Sequence, residues 1–216
     1  MRVVPLWLWR GYLALIVLGL VIGLGLVAAL ALGWRSPTPH RPPDWTAPDL
    51  VWRQYGEGWS ATTDADHQIQ LAGSDQRAWA VASQPVADFE LQLDVRSLLP
   101  SEDVGYGVLY RYQDAANYYL FAIGGDGYYT IALVHQGELT PLQLWQPWPH
   151  VRRGAATNRL RVRCRASTCR FFLNDEFTAE IQDGTFPRGD VGLWAQTFSD
   201  TALKVSFEGL RLWRLD

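Results

Sequence analysis

Two carboxylates on one strand, Glu90 and Asp94, are the first pair in this chain that could do acid–base work. Cleavage of a glycosidic bond needs two carboxyl groups about 5–5.5 Å apart for retention, or about 6.5–9.5 Å apart for inversion. In the stretch 88–96, Phe89, Leu91, Leu93 and Val95 alternate with Glu90, Gln92, Asp94 and Arg96, which predicts a half-buried strand. Glu90 and Asp94 then share a face but stand four residues apart, roughly 13 Å at about 3.3 Å per residue. Neither geometry fits, and the pair reads as part of a solvated strand face. No catalytic residue is assigned. The chain holds no Gly-x-Ser-x-Gly and no Gly-x-x-x-x-Gly-Lys. Two cysteines and the scattered His40, His67, His135 and His150 give no zinc spacing.

Two further groups could carry binding, and a third could form a covalent link. Tyr110, Tyr112, Tyr119 and Tyr128, with Arg111, lie in adjacent short runs. Counting back from a turn at 114–117 pairs Tyr112 with Tyr119, Tyr110 with Phe121 and Val108 with Ile123. One face is then rich in tyrosine, and the other carries Leu109, Leu120, Ala122, Ile131 and Leu133, with Arg111 and Tyr118 at its end. A tyrosine face could stack on sugar rings, with Trp194, Trp145 and Trp148 as a rim. Against this stands the high strand propensity of tyrosine, which equally suits a large core. Next, Arg159, Arg161, Arg163 and Arg165 alternate with Leu160, Val162 and Cys164, so four guanidiniums share one strand face. That stripe suits anionic glycans or lipid headgroups; Glu176, Glu180 and Asp183 could instead neutralise it. Finally, Cys164 and Cys169 flank residues 165–168, a hairpin loop that would set them opposite each other. Facing strand positions are close enough for a disulfide, and buried free thiols are the alternative.

These groups need elements to hold them. Beyond residue 49 no sustained helical period occurs. Instead, short alternating runs near 67–72, 77–83, 88–96, 105–113, 117–123, 128–135, 158–165, 169–173, 177–182, 190–197 and 203–213 are separated by Gly, Asp, Asn and Pro. This spacing predicts an all-β, two-sheet antiparallel sandwich of jelly-roll type over 49–216. The turn at 124–127 contains Asp126-Gly127, a strong hairpin signal.

Ahead of that domain, Gly11 to Trp34 is a run without a formal charge. As a helix of 24 residues it spans about 36 Å, against about 30 Å of bilayer hydrocarbon. It reads as a transmembrane anchor after a short tail (1–10), with Trp7, Trp9, Tyr12 and Trp34 at the interfaces. A cleaved signal peptide ending near Ala29-Leu30-Ala31 is the competing reading, although the apolar run exceeds the usual ~7–15 residues. Five prolines between Ser36 and Pro48 make 35–48 an extended spacer. The short tail and the disulfide together favour a cytoplasmic N-terminus and a domain outside the cell membrane. The net charge of −3 is unevenly spread. Removing Arg2, Arg10 and Arg35 from the 19 basic groups leaves 16 against 22 acids in 36–216, a net of −6. Such a body is a poor partner for nucleic acid, whose phosphates dominate affinity.

The stretches 107–114, 117–121 and 125–129, with 158–162, 172–175 and 189–193, resemble bacterial domains of the concanavalin A-like lectin/glucanase superfamily. The nearest kinds are laminin G-like domains and the 3-keto-disaccharide hydrolase type. The resemblance covers about 88–214. It implies the sandwich and, because that superfamily hosts lectins, hydrolases and inert spacers, it leaves activity open. The superfamily's glucanase pattern, Glu-x-Asp-x-x-Glu, is absent. Related lectin-like sandwiches often bind calcium, so the resemblance implies Asp114, Asp126 or the Glu102-Asp103 pair as oxygen ligands, although no calcium-loop pattern surrounds them. The resulting expectation is a membrane-anchored recognition module for carbohydrate. A sugar hydrolase and a structural or protein-binding ectodomain are the alternatives.

Overall fold

A computed structural model describes residues 41–62, 66–99, 101–199 and 201–215. The expected anchor over 11–34 lies outside the described residues, within which no helix is long and apolar enough to cross a membrane. The strands are β1 (Trp45–Thr46), β2 (Trp52–Gly56), β3 (Trp59–Thr62), β4 (Asp66–Leu71), β5 (Arg77–Val86), β6 (Phe89–Ser97), β7 (Val104–Asp114) and β8 (Asn117–Gly124). There follow β9 (Tyr128–His135), β10 (Glu138–Pro147), β11 (Asn158–Arg165), β12 (Thr168–Leu173), β13 (Glu176–Gln182), β14 (Gly189–Thr197) and β15 (Leu203–Arg214). A single 3-10 turn, Ala47–Asp49, is the helical element among these residues.

The strands form two antiparallel sheets. The first runs β13-β12-β11-β6-β15-β4-β3, with β1 on β15; the second runs β10-β9-β8-β7-β14-β5-β2. The last two strands take central places, β14 between β7 and β5 and β15 between β6 and β4. Both sheets are therefore completed only by the C-terminal quarter of the chain. Ahead of β2, Asp44 N–H donates to Leu212 O (3.0 Å), and Trp45 and Thr46 pair with Leu212 and Arg211.

The alternation in β6 gives its inward face, but the expected solvated face is corrected: Glu90 and Gln92 are buried as well, and only Asp94 and Arg96 reach solvent. Phe89, Leu91, Leu93 and Val95 enter the core between the sheets, where they meet Leu160, Val162 and Cys164 of β11 and Leu212 of β15. From the second sheet, Tyr106, Val108, Tyr110, Tyr119, Phe121, Ile123 and Ile131 close the same core. A second, smaller apolar cluster sits on the other side of the second sheet: Val81, Leu109, Tyr112, Tyr118, Leu120, Ala122, Ala132, Val134 and Trp194.

The hairpin of β7 and β8 corrects the expected register. Asp114 pairs with Asn117, as counting back from the turn requires, but Tyr110 rather than Tyr112 pairs with Tyr119, and Val108 rather than Tyr110 pairs with Phe121. Between them Arg111, Tyr112 and Gln113 oppose Tyr118 alone, and Arg111 has φ = 50°. This bulge adds residues to one strand only, so Tyr112 turns to the outer side while Tyr110 faces in. Gly189 permits it: a Cβ there would lie 2.4 Å from the Arg111 carbonyl carbon and 2.5 Å from Gln113 Nε2.

Candidate functional site

The structure splits the tyrosine set between two faces. Tyr110 and Tyr119 are 1% and 2% exposed, with their rings stacked 5.0 Å apart inside the sandwich. These two tyrosines therefore belong to the core between the sheets and do not line an open groove. Tyr119 donates its phenol hydrogen to Asp183 and accepts the Phe186 N–H. Burial and the neighbouring Asp183 push its pKa up to about 12, and burial drives that of Tyr110 well above the usual phenol range. Arg111 is completely buried and donates to the carbonyls of Phe186, Ala87 and Ala166, joining three loops at one end of the domain. Tyr112 lies with Tyr118 on the outer side (5.9 Å between rings), where Trp194 is also buried. Tyr128, half-buried, opens β9 opposite Pro147.

The arginine stripe is threaded with carboxylates. Arg159 grips Asp94 through Nε (2.8 Å) and Nη2 (3.1 Å), and Asp175 lies 3.7 Å from its Nη1. Arg161, buried over the Phe172 ring, is 3.4 Å from Glu90, and Arg163 approaches the same carboxylate at 3.7 Å. Desolvation outweighs both guanidiniums and holds the Glu90 carboxyl above its usual range. Glu90 and Asp94 are therefore each engaged by arginine. Arg165, at the strand end, is exposed, and Cys164 faces Cys169 in a disulfide across the β11–β12 hairpin.

A different site forms at the end of the second sheet remote from Tyr112. Glu102 and Asp103 before β7, Val104 at its start, Gly124 ending β8, Asp126 in the following turn, Trp145 of β10 and Phe198 after β14 line a cleft of about 300 Å³. Backbone contacts fix these segments. Phe198 N–H donates to Asp103 O (3.1 Å) and Gly125 N–H to Val104 O (3.3 Å), while Ser101 Oγ donates to Ala202 O (2.6 Å). Gly125 is what lets the turn meet the 101–103 loop, since a Cβ there would stand 1.9 Å from Ser101 O.

Trp145 and Phe198 are large apolar side chains left substantially exposed, at 39% and 38%, and their rings meet edge to face at 6.0 Å. The β10 register breaks between Gln143 and Gln146, the segment that carries Trp145. Asp126 Oδ1 accepts the Tyr128 N–H (3.2 Å), which orients its carboxylate. Burial first, and Asp126 second, push the Tyr106 phenol up to about 12. Carboxylate acceptors beside an exposed indole can take hydroxyls on one side and a sugar's C–H face on the other. Of the residues singled out in the sequence, the cleft unites Glu102, Asp103, Asp126 and Trp145, and it adds Phe198. Asp114 lies at the far end of β7, and Trp148 packs edge to face on Tyr129 (5.9 Å). Among the described residues no three His, Cys, Asp or Glu side chains are placed to hold a metal ion.

The sequence matches no family model and no curated protein. The fold does match solved structures. Carbohydrate-binding module CBM66 from Bacillus subtilis superposes with a TM-score of 0.65 at 16% identity, covering 78% of this chain and 99% of that one. A Bacillus subtilis protein of unknown function with a galectin-like fold gives 0.62 at 9% identity, over 82% and 97%. The VIP36 exoplasmic/lumenal domain, in its Ca2+/Man3GlcNAc-bound form, gives 0.54 at 13%, over 79% and 88%. At such identities the likeness is one of fold: two antiparallel sheets packed as a lectin-like β-sandwich.

Proposed function

We propose that this chain is a non-catalytic carbohydrate-recognition protein, tethered to the membrane by 11–34 and presenting its sandwich outside the cell. The observation that carries this reading is the cleft: three acidic residues and two exposed aromatic residues line about 300 Å³. That volume is at the lower end of the range of about 300–1,000 Å³ for small-ligand sites, and it suits the end of a glycan rather than a long chain segment. The carbohydrate-binding module and the glycan-bound lumenal domain among the structural neighbours support it. The engagement of Glu90 and Asp94 by Arg161, Arg163 and Arg159 argues against hydrolysis on the first sheet. The Pro-rich 35–48 segment suits a spacer.

A glycan-array screen of the full chain in detergent micelles tests the reading, with Trp145→Ala as control. Saturable binding that the substitution removes supports a lectin-like module. Absence of binding across the array counts against it and leaves the protein-binding alternative. Release of reducing sugar from a bound glycan would favour the hydrolase alternative.

A further inference from the structure

The cleft's charge suggests which saccharides it takes. Its lining contains Glu102, Asp103 and Asp126 and no Lys, Arg or His. None of the three acids has an ion-pair partner among the described residues. The Arg153 guanidinium is near: its Nε would be 2.6 Å from a Cβ on Gly127, the residue after Asp126. It is exposed and is not part of the lining. Beside these acids stand the exposed rings of Trp145 and Phe198, an independent sign of an organic ligand, because a cation alone would need no such wall.

From this arrangement, and resting on the carbohydrate reading, we infer that the cleft prefers a saccharide bearing a protonated amino group over the same saccharide N-acetylated, and that it rejects uronic and sulfated sugars. An ammonium has three N–H donors and no acceptor, so it matches a lining of acceptors from two loops. An acetamide offers one N–H and adds a carbonyl that carboxylates cannot satisfy. A sugar carboxylate or sulfate would bring a like charge to three acids with no cation in the lining to offset it. The indole of Trp145 adds attraction for a cation over its face.

The test is a calorimetric titration of the full chain in detergent at pH 6, at low and at moderate salt. The ligands are a β-1,4-linked glucosamine tetramer, its fully N-acetylated counterpart and a galacturonate tetramer. The inference predicts that the amine form binds about tenfold more tightly than the acetamide form (about 1.4 kcal/mol). The preference should shrink as salt rises and vanish in Glu102→Gln/Asp103→Asn, with thermal melting showing that this variant folds. Trp145→Ala should weaken both the amine and acetamide forms. Equal affinity for these two forms, or a preference that survives loss of the acids, would overturn the amine inference while leaving carbohydrate recognition standing. Binding of the galacturonate would also overturn it. No binding of any tetramer, together with an empty glycan array, would remove the underlying reading as well.

Discussion

Tyr110 and Tyr119 face each other across β7 and β8 with rings stacked 5.0 Å apart, and both point into the space between the sheets. A phenol can occupy that space when its hydroxyl finds a partner; Tyr119 finds one in Asp183. The pair is an internal fastening of the 183–186 loop rather than a ligand platform. Tyr119→Phe keeps the stack and loses the hydrogen bonds, so urea unfolding should show a loss of about 1–2 kcal/mol. Tyr110→Ala should cost about 3–5 kcal/mol, as removal of other buried aromatic rings does. A Tyr119→Phe protein with unchanged stability would mean the hydroxyl carries nothing.

Arg111 makes a sharper case. It sits in the bulge with positive φ and reaches three carbonyls from separate loops. A lysine has the charge but not the planar fork. Arg111→Lys should therefore lower the stability by about 2–3 kcal/mol, read as a lower urea midpoint. Retention of the wild-type midpoint would show that charge alone suffices.

His67 supplies a pH dependence. It is 1% exposed, it packs against Trp52, and desolvation lowers its pKa from about 6.5 to about 4. Above pH 6.5 the ring is neutral folded or unfolded and contributes no pH dependence. Below that, the unfolded chain takes up the proton first, so stability falls as pH drops from about 6.5 to about 4 and levels off beyond. The full effect is about 3 kcal/mol. His67→Leu should flatten that part of the stability–pH curve; an unchanged slope would assign the dependence to other groups.

The Cys164–Cys169 disulfide closes a short loop. A loop of about six residues gives about 2 kcal/mol in the chain-entropy account. Cys164→Ala/Cys169→Ala should accordingly lower the melting temperature by several degrees without unfolding the domain. Complete unfolding would show that the bridge matters far beyond its loop.

How much of this was legible in the sequence differs by element. The alternation through Phe89, Leu91, Leu93 and Val95 declared β6 and its inward face but not the burial of Glu90 and Gln92 on the other, and the resemblance implied the sandwich. The cysteine spacing brought Cys164 opposite Cys169. The β7–β8 register was legible only as far as Asp114 and Asn117, because no residue type announces the bulge; Arg111 is an ordinary strand residue until Gly189 makes room for its backbone. The tyrosine face was inverted because period-two alternation says which residues share a face, not which face meets the other sheet. The cleft was legible residue by residue but not as a site. Glu102, Asp126, Trp145 and Phe198 come from four separate segments, and only the placement of β14 beside β7 joins Phe198 to Asp103.

On the proposed function a saccharide binds at the cleft and not on the outer aromatic side of the second sheet. Tyr112 marks that side about eight strand positions from Val104, roughly 26 Å along β7 at about 3.3 Å per residue. The decisive measurement is a titration of the best array ligand into the full chain and into Trp145→Ala and Tyr112→Ala, each checked for folding by thermal melting. The cleft predicts at least about tenfold weaker binding for Trp145→Ala, as befits loss of a stacking ring in the site, and wild-type affinity for Tyr112→Ala. The reverse pattern, with binding lost in Tyr112→Ala and kept in Trp145→Ala, would contradict it.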